Sequence, residues 1–318
     1  MSQLTIDKEE YTSRNELLKG RDVYILTLEG VVDDNSYLFS SAFPIEIPDY
    51  KSFREKVTAL KVSKRVDIKK IESLVNEFST IKKKGELRTH SKINDKYVIP
   101  GSSLKGAIRS RIEYKFIPVN NKIKSCYIVE DDFFLQQAVN HRKFWGDDVI
   151  RKRGSCNVQS DDKACIVCDM FGSQYLASLV SISDTYLLSG NSEKLSDLYN
   201  IDAIKPQSRF STTIVCRNFD YTRLGLLFLG LELYSKSPIL LGMYKYRFNP
   251  KVGKVLFRDK YAFGLVRFNL TDVTSLINNN KLDVKELIEQ TKNVLRDKFK
   301  EYIDWKKGVI ENERTGSI

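Results

Sequence analysis

The chain has 318 residues, 42 % apolar, 29 % charged and 11 % aromatic, with a formal net charge of +11. A chain of this length buries enough surface to fold without staples, and the aromatic content excludes a solvated coil as the main state. Five cysteines over the whole length exclude a disulfide scaffold, and the most apolar stretch, Leu224 to Leu231, falls far short of the roughly 20 residues that cross a bilayer.

Residues 1–20 read as a polar lead-in. They carry neither a basic n-region nor an apolar h-region, so the expected setting is cytoplasmic. Thiols stay reduced there, and clustered cysteines are read as ligands before bridges. Asp22 to Val32 is rich in β-branched and aromatic residues and predicts a strand. A loop with Pro44 and Pro48 follows, then a helical insertion over 51–84, with Asp67 as a cap and Lys82 to Gly85 as a stop signal. Lys96 to Ile99 predicts a short strand that Pro100-Gly101 breaks.

Ser102 to Phe116 predicts an amphipathic helix, with Leu104, Ala107, Ile108 and Ile112 on one stripe and Lys105, Arg109 and Glu113 on the other. Strands are expected at 177–188, 210–218 and 254–268, with a helix near 222–234. A C-terminal extension over 271–318 contains a helix from Asp283 to Trp305, opened by a capping box of Asp283 and Glu286. Strands interrupted by helices without regular βαβ spacing indicate the α+β class.

The positive charge is concentrated. Residues 205–260 hold eleven basic and three acidic side chains, a composition that favours a polyanion partner because basic residues on a phosphate track release condensed counterions. Pro100-Gly101 followed by Ser102 and Ser103 offers a second anion-attracting feature. A helix opening there presents first-turn amides and the positive end of its dipole, extended by Lys105, Arg109 and Arg111. It is not a nucleotide-binding P-loop, because Ala107-Ile108 stands where Lys-Ser/Thr is required. An ordinary capped surface helix is the alternative. Tyr244, Tyr246 and Phe248 interleave with Lys245 and Arg247, a mixture that suits single-stranded RNA, although a half-buried strand alternates in the same way.

Cys156, Cys165 and Cys168 place three thiols within thirteen residues, with His141 upstream. Three thiolates and one imidazole fill a tetrahedral zinc and leave no open position, so such a metal would be structural. His90 or solvent could take the place of His141. Cys126 and Cys216 lie in apolar stretches and read as core. Arg142, Lys143 and the run Arg151-Lys152-Arg153 would face RNA from this loop, or simply solvate it.

Three blocks carry a resemblance. Ile99-Pro-Gly-Ser-Ser-Leu-Lys-Gly106 with Arg109 resembles the signature of the RAMP superfamily, the repeat-associated proteins of CRISPR effector complexes. Cys165-Ile-Val-Cys-Asp-Met-Phe-Gly-Ser173, leading to Ser181-Ile-Ser-Asp184, is similar to a segment of type III backbone subunits. Arg217 to Leu227, then Leu240 to Lys245, is similar to their C-terminal core, although residues 242–253 keep only Gly242 and Gly253 of a glycine-rich loop.

The resemblance implies one RAMP domain over 1–318, with a ferredoxin-like, RRM-related core and insertions at 51–84 (helical) and 141–173 (zinc-binding). It implies antiviral defence within a type III complex, with guide RNA, target RNA and other subunits as partners, copies or paralogues of this chain among them. Contacts to the RNA backbone would come from Ser102, Ser103, Lys105 and Arg109, joined by Arg111, Lys245 and Arg247. The metal set would be His141, Cys156, Cys165 and Cys168.

Some related subunits cut target RNA with a loop aspartate, which would call for a divalent cation. Asp33, Asp34 and Asp49 are the available acids here, with Glu86 nearest the signature block, and each is equally suited to capping a turn. With two histidines in the chain no Ser-His-Asp arrangement stands out, and His90 is the other acid–base candidate. No catalytic residue is assigned. A stand-alone endoribonuclease and a structural capping subunit are the alternatives to guide binding.

Overall fold

A computed structural model describes residues 5–40, 45–48, 83–126, 156–195, 201–243, 248–249, 254–255 and 262–305, with the isolated positions 55, 58, 72 and 245. Nearly all of the expected helical insertion, Asp49, His141, the basic positions 142–153 and Arg247 lie outside these residues.

The first predicted strand forms as Asp22–Val32 (β1). Its side chains alternate strictly between buried and half-buried, the period of a strand with one covered face. The hairpin Lys92–Ile93 (β2) and Lys96–Ile99 (β3) turns at Asn94 and Asp95, both at positive φ, the pairing that a two-residue hairpin demands. The signature block then forms the helix Gly101–Lys115 (α1), and the cysteine block the short helix Ile166–Phe171 (α2).

The strand expected at 177–188 is two strands, Val180–Ile182 (β4) and Thr185–Ser189 (β5), both paired with Arg209–Phe219 (β6). The interruption falls at Asp184, whose carboxylate turns away to accept from the Gly101 N–H at 2.9 Å. Tyr221–Gly230 (α3), Ile239–Leu240 (β7), Leu265–Ser275 (β8), Asn280–Lys281 (β9) and Val284–Phe299 (α4) complete the described core. The third predicted strand thus runs further along the chain than 254–268, and the helix of the C-terminal extension starts only after the β8–β9 hairpin.

These strands form one antiparallel sheet in the order β7-β8-β1-β6-β5-β3-β2, with β4 also on β6 and β9 on β8. The covered face of β1 buries Tyr24, Leu26, Leu28 and Val32 in the core shared with α1, α3 and α4. Full burial of each leucine there contributes about 2 kcal/mol. Helix α3 is buried on nearly every side, because α1 and α4 pack against it. Gly230 permits the approach: a Cβ there would stand 2.8 Å from the side chains of Ile108 and Ile112. Asp220 caps α3 and Asp283 caps α4, each accepting from the amide three residues on.

A smaller sheet joins Ser192–Leu195, Ile201–Ile204, Lys83–Thr89 and Ile45–Pro48 in that order. Sequence reasoning missed it, and placed a helix end where the strand from Lys83 begins. Among the described residues, no helix is long and apolar enough to cross a membrane.

Candidate metal centre and the helix it anchors

Helix α1 begins where the chain touches β4. A Cβ on Gly101 would lie 2.2 Å from the Ile182 carbonyl oxygen, so this position admits only glycine without a backbone shift. Neither Ser102 nor Ser103 caps the helix. The Gly101 amide goes to Asp184, and those of Ser103 and Leu104 go to the Pro100 carbonyl. What remains at the helix opening is a side-chain surface: Ser102, Ser103 and Gly106 exposed, Lys105 half-buried. Burial, and then the charge of Arg109 behind it, lower the pKa of Lys105. Among the described residues Lys105 has no ion-pair partner.

Arg109 and Arg111 are not on that surface. Both are buried, and Glu113 with them, so beyond Lys105 the polar stripe read from the sequence faces inward. Arg111 donates from Nη1 to the Ala107 carbonyl at 3.3 Å. Arg109 spends its guanidinium on three partners: Glu113 Oε1 at 2.7 Å, the Gly172 carbonyl at 2.5 Å and Cys168 Sγ at 3.2 Å. Burial opposes its charge, but Glu113 and then Cys168 outweigh that and hold the pKa above the ordinary arginine value. An i,i+4 carboxylate and two further acceptors are what let a guanidinium sit inside. Arg109 therefore ties α1 to the cysteine loop.

That loop brings three thiols to a fourth, Cys126, from earlier in the chain. Cys126, Cys156, Cys165 and Cys168 are buried, with all four sulfurs within 4.8 Å of one another. Cys126 and Cys168 are 3.3 Å apart, and Cys165 and Cys126 3.7 Å. A tetrahedron of thiolates at about 2.3 Å from a zinc ion has edges near 3.8 Å, so the group fits. Backbone amides of Cys126, Cys165 and Cys168 point at sulfur, at 3.4, 3.3 and 3.5 Å. Hydrogen bonds from Cys126, Cys156 and Cys168 push the Cys165 thiol well below its ordinary range. Four thiols and an adjacent guanidinium make a site able to hold a metal ion such as zinc, and its burial is that of a structural centre.

Cys126, read from its apolar neighbours as core, is thus the fourth member of the cluster among the described residues, and the expected ligand His141 lies outside them. The missed signal is chemical: with five cysteines available, a fourth thiol completes a tetrahedral set as well as a remote histidine does. Cys216 is core as expected, buried on β6.

Asp169, next to Cys168, organises the underside of the loop. Its carboxylate accepts from Thr12 N at 2.9 Å and Thr12 Oγ1 at 2.7 Å, from Arg14 Nη1 at 2.7 Å, and from Arg223 Nη2 at 2.6 Å and Nε at 3.1 Å. The N-terminal segment, the cysteine loop and α3 therefore meet on one buried carboxylate. Arg223, counted above in the basic stretch 205–260, is consumed here, and Arg209 pairs with Glu29.

The acid–base candidates are engaged elsewhere. Asp33 pairs with Arg267 at 2.9 Å, and Asp34 accepts from Gln207. Glu86 lies in the strand Lys83–Thr89. His90 is fully buried. Ser40 N–H donates to its Nδ1 at 3.1 Å, so the proton sits on Nε2, which donates to the Val98 carbonyl at 2.9 Å. Burial pushes its pKa down to about 4.

Being neutral in the fold, His90 gains a proton on unfolding once the pH is below 6.5. Its contribution is complete above that value and is lost as the pH falls towards 4, about 3 kcal/mol in all. In His90→Gln, the part of the pH dependence of urea stability between pH 6.5 and 4 due to this group is expected to vanish. An unchanged slope would show that another group titrates there.

Lys245 is half-buried, its Cβ close to Gly264. The sequence matches the RAMP superfamily over residues 80–315. This range takes in the signature helix, the cysteine cluster and all of the large sheet except β1, and the chain belongs to that superfamily. RAMP proteins are components of CRISPR systems that typically act with RNA and other subunits, and membership points to a CRISPR-associated RNA-binding role for this chain. No curated protein matches the chain.

Proposed function

We propose that this protein is a guide-RNA-binding subunit of a type III CRISPR effector complex, gripping the RNA backbone at the opening of α1 and braced by a structural zinc ion on Cys126, Cys156, Cys165 and Cys168. One observation carries the reading. Lys105 stands half-buried in the first turns of the helix, just after the exposed Ser102 and Ser103, with the Arg109 charge behind it and no ion-pair partner among the described residues. A phosphate there supplies the missing negative charge, and the Ser102 and Ser103 hydroxyls supply donors. Arg109 contributes by fixing the helix rather than by touching RNA. Lys245, and Arg247 outside the described residues, would add RNA contacts in this reading.

A ferredoxin-like core is supported by chain order. Strand β1, helix α1, strands β4/β5 and β6, helix α3 and strand β8 follow the βαββαβ sequence, and the last strand and the second pair flank β1 in the sheet order β8-β1-β6-β5. Cleavage has less support, since Asp33 and Asp34 are each held by a neighbour. The test is the salt dependence of RNA binding. Lys105→Ala is expected to lower the slope of log K against log salt by about 0.7, one single-strand phosphate contact. An unchanged slope removes Lys105 from the interface.

A further inference from the structure

The turn that follows the cysteine loop carries an aromatic side chain which packing does not explain. Ser173 and Leu176 exchange backbone hydrogen bonds, both at 3.0 Å, across the two residues Gln174 and Tyr175. Tyr175 adopts φ +66°, a left-handed conformation that glycine or asparagine enters readily and an aromatic residue rarely. The residue is 67 % exposed. Among the described residues it makes no hydrogen bond or ring contact that would offset the strain. Backbone strain held in place without a packing reason points to a use for the side chain.

The base beneath it is stiff. Gly172 donates from its amide to the Cys168 carbonyl at 2.9 Å, and its own carbonyl accepts from Arg109. Ser178 Oγ reaches the Val180 carbonyl at 2.8 Å, Leu179 N–H reaches Met170 O at 3.0 Å, and Arg14 Nε donates to the Ala177 carbonyl at 3.1 Å. The tyrosine therefore stands on the metal loop rather than on a free tip.

The same Arg109 bond ties the base of the turn, at Gly172, to α1, on which Lys105 lies four residues before Arg109. On the other side, the backbone amide of Arg217 bonds the Leu179 carbonyl at 2.9 Å, and the Arg217 side chain is exposed without an ion-pair partner among the described residues. An exposed ring on a turn tied to the two elements that carry Lys105 and Arg217 suits the combination with which proteins stack the bases of single-stranded nucleic acid while holding its phosphates.

We propose that Tyr175 is a stacking platform for an RNA base beside the α1 anion seat, an inference that rests on the RNA-binding reading above. Because every base has a π-face, the platform is tolerant of sequence. Its preorganisation by the metal loop means that little order is lost when RNA binds.

The experiment uses the full, metal-loaded chain with fluorescein-labelled oligoadenylate and oligouridylate, read by anisotropy over a salt series. Tyr175→Ala is expected to weaken binding about 5- to 100-fold with an unchanged salt slope, and Tyr175→Phe to retain affinity. Tyr175→Asn relieves the backbone, so it is expected to melt at a higher temperature while losing affinity; a structural role would move both in the same direction. Variants that all bind like the wild type overturn the platform and leave the RNA-binding reading standing. A wild-type chain that binds neither RNA overturns both. A Tyr175→Ala chain that keeps RNA affinity but loses co-purifying subunits also overturns the platform, by making Tyr175 a protein contact.

Discussion

Serine in place of Cys126 is expected to empty the metal centre and to destabilise the chain by several kcal/mol, whereas His141→Ala keeps its metal. The four thiols lie within 4.8 Å of one another in a buried pocket, and a hydroxyl in place of one sulfur leaves three ligands and an open position. Binding at a structural zinc site is folding free energy, about 10–16 kcal/mol in isolated zinc-finger peptides, and only part of it is at stake where a large core already exists. The loss should reach further than the loop, because Arg109 would keep Glu113 and Gly172 but face a reorganised Cys168. Metal analysis after dialysis, with thermal melting of both variants, decides the matter. Metal retained in Cys126→Ser and lost in His141→Ala would replace the four-cysteine set by one containing the histidine.

The second large effect is expected at Asp169. Its side chain is 4 % exposed, and Arg14 and Arg223 both converge on it. Burial alone would raise its pKa, but the hydrogen bonds from Arg14, Arg223 and Thr12 hold it below the ordinary 3.8. The carboxylate is thus charged at neutral pH, and its contribution is present above pH 3.8 and lost as the pH falls below it. Asp169→Ala leaves two guanidiniums short of their shared acceptor, although Arg223 keeps Asp220 at 3.0 Å. Breaking a buried pair from one side costs about 3–5 kcal/mol. The urea midpoint should fall accordingly, and proteolysis should expose the N-terminal segment first, since Thr12 and Arg14 lose their anchor. A midpoint within error of the wild type would show that the network contributes little.

The parts of this fold that local pattern determines were legible in the sequence. Strand β1 and strand β3 occupy the predicted residues, α1 is shifted by one residue, α4 ends at Phe299, short of the predicted Trp305, and Asp283 caps as its spacing requires. What escaped was decided by partners distant in sequence. Asp184 caps α1 from 83 positions away, so Ser102 and Ser103, good caps by local rule, remain exposed instead. Arg109 and Glu113 look like a solvated i,i+4 pair until the Gly172 carbonyl and Cys168 appear beside them. The alternation that marks a half-covered strand continues in β8 as far as Ser275, past the predicted end at 268, where the hairpin to β9 closes it. Cys126 was misread because its neighbours are apolar, as the neighbours of a buried ligand also are. In the site, the helix opening and three of the four thiols were visible in one dimension; the fourth thiol and the role of Arg109 needed three.

The central claim is that the chain holds guide RNA, and the RNA that accompanies it tests this most directly. The native protein is purified from its host under gentle conditions and the bound nucleic acid is sequenced. The account predicts short RNAs sharing one repeat-derived end, together with co-purifying subunits. Absence of RNA, or a mixture that follows cellular abundance, would contradict it and favour a stand-alone nuclease or a structural cap.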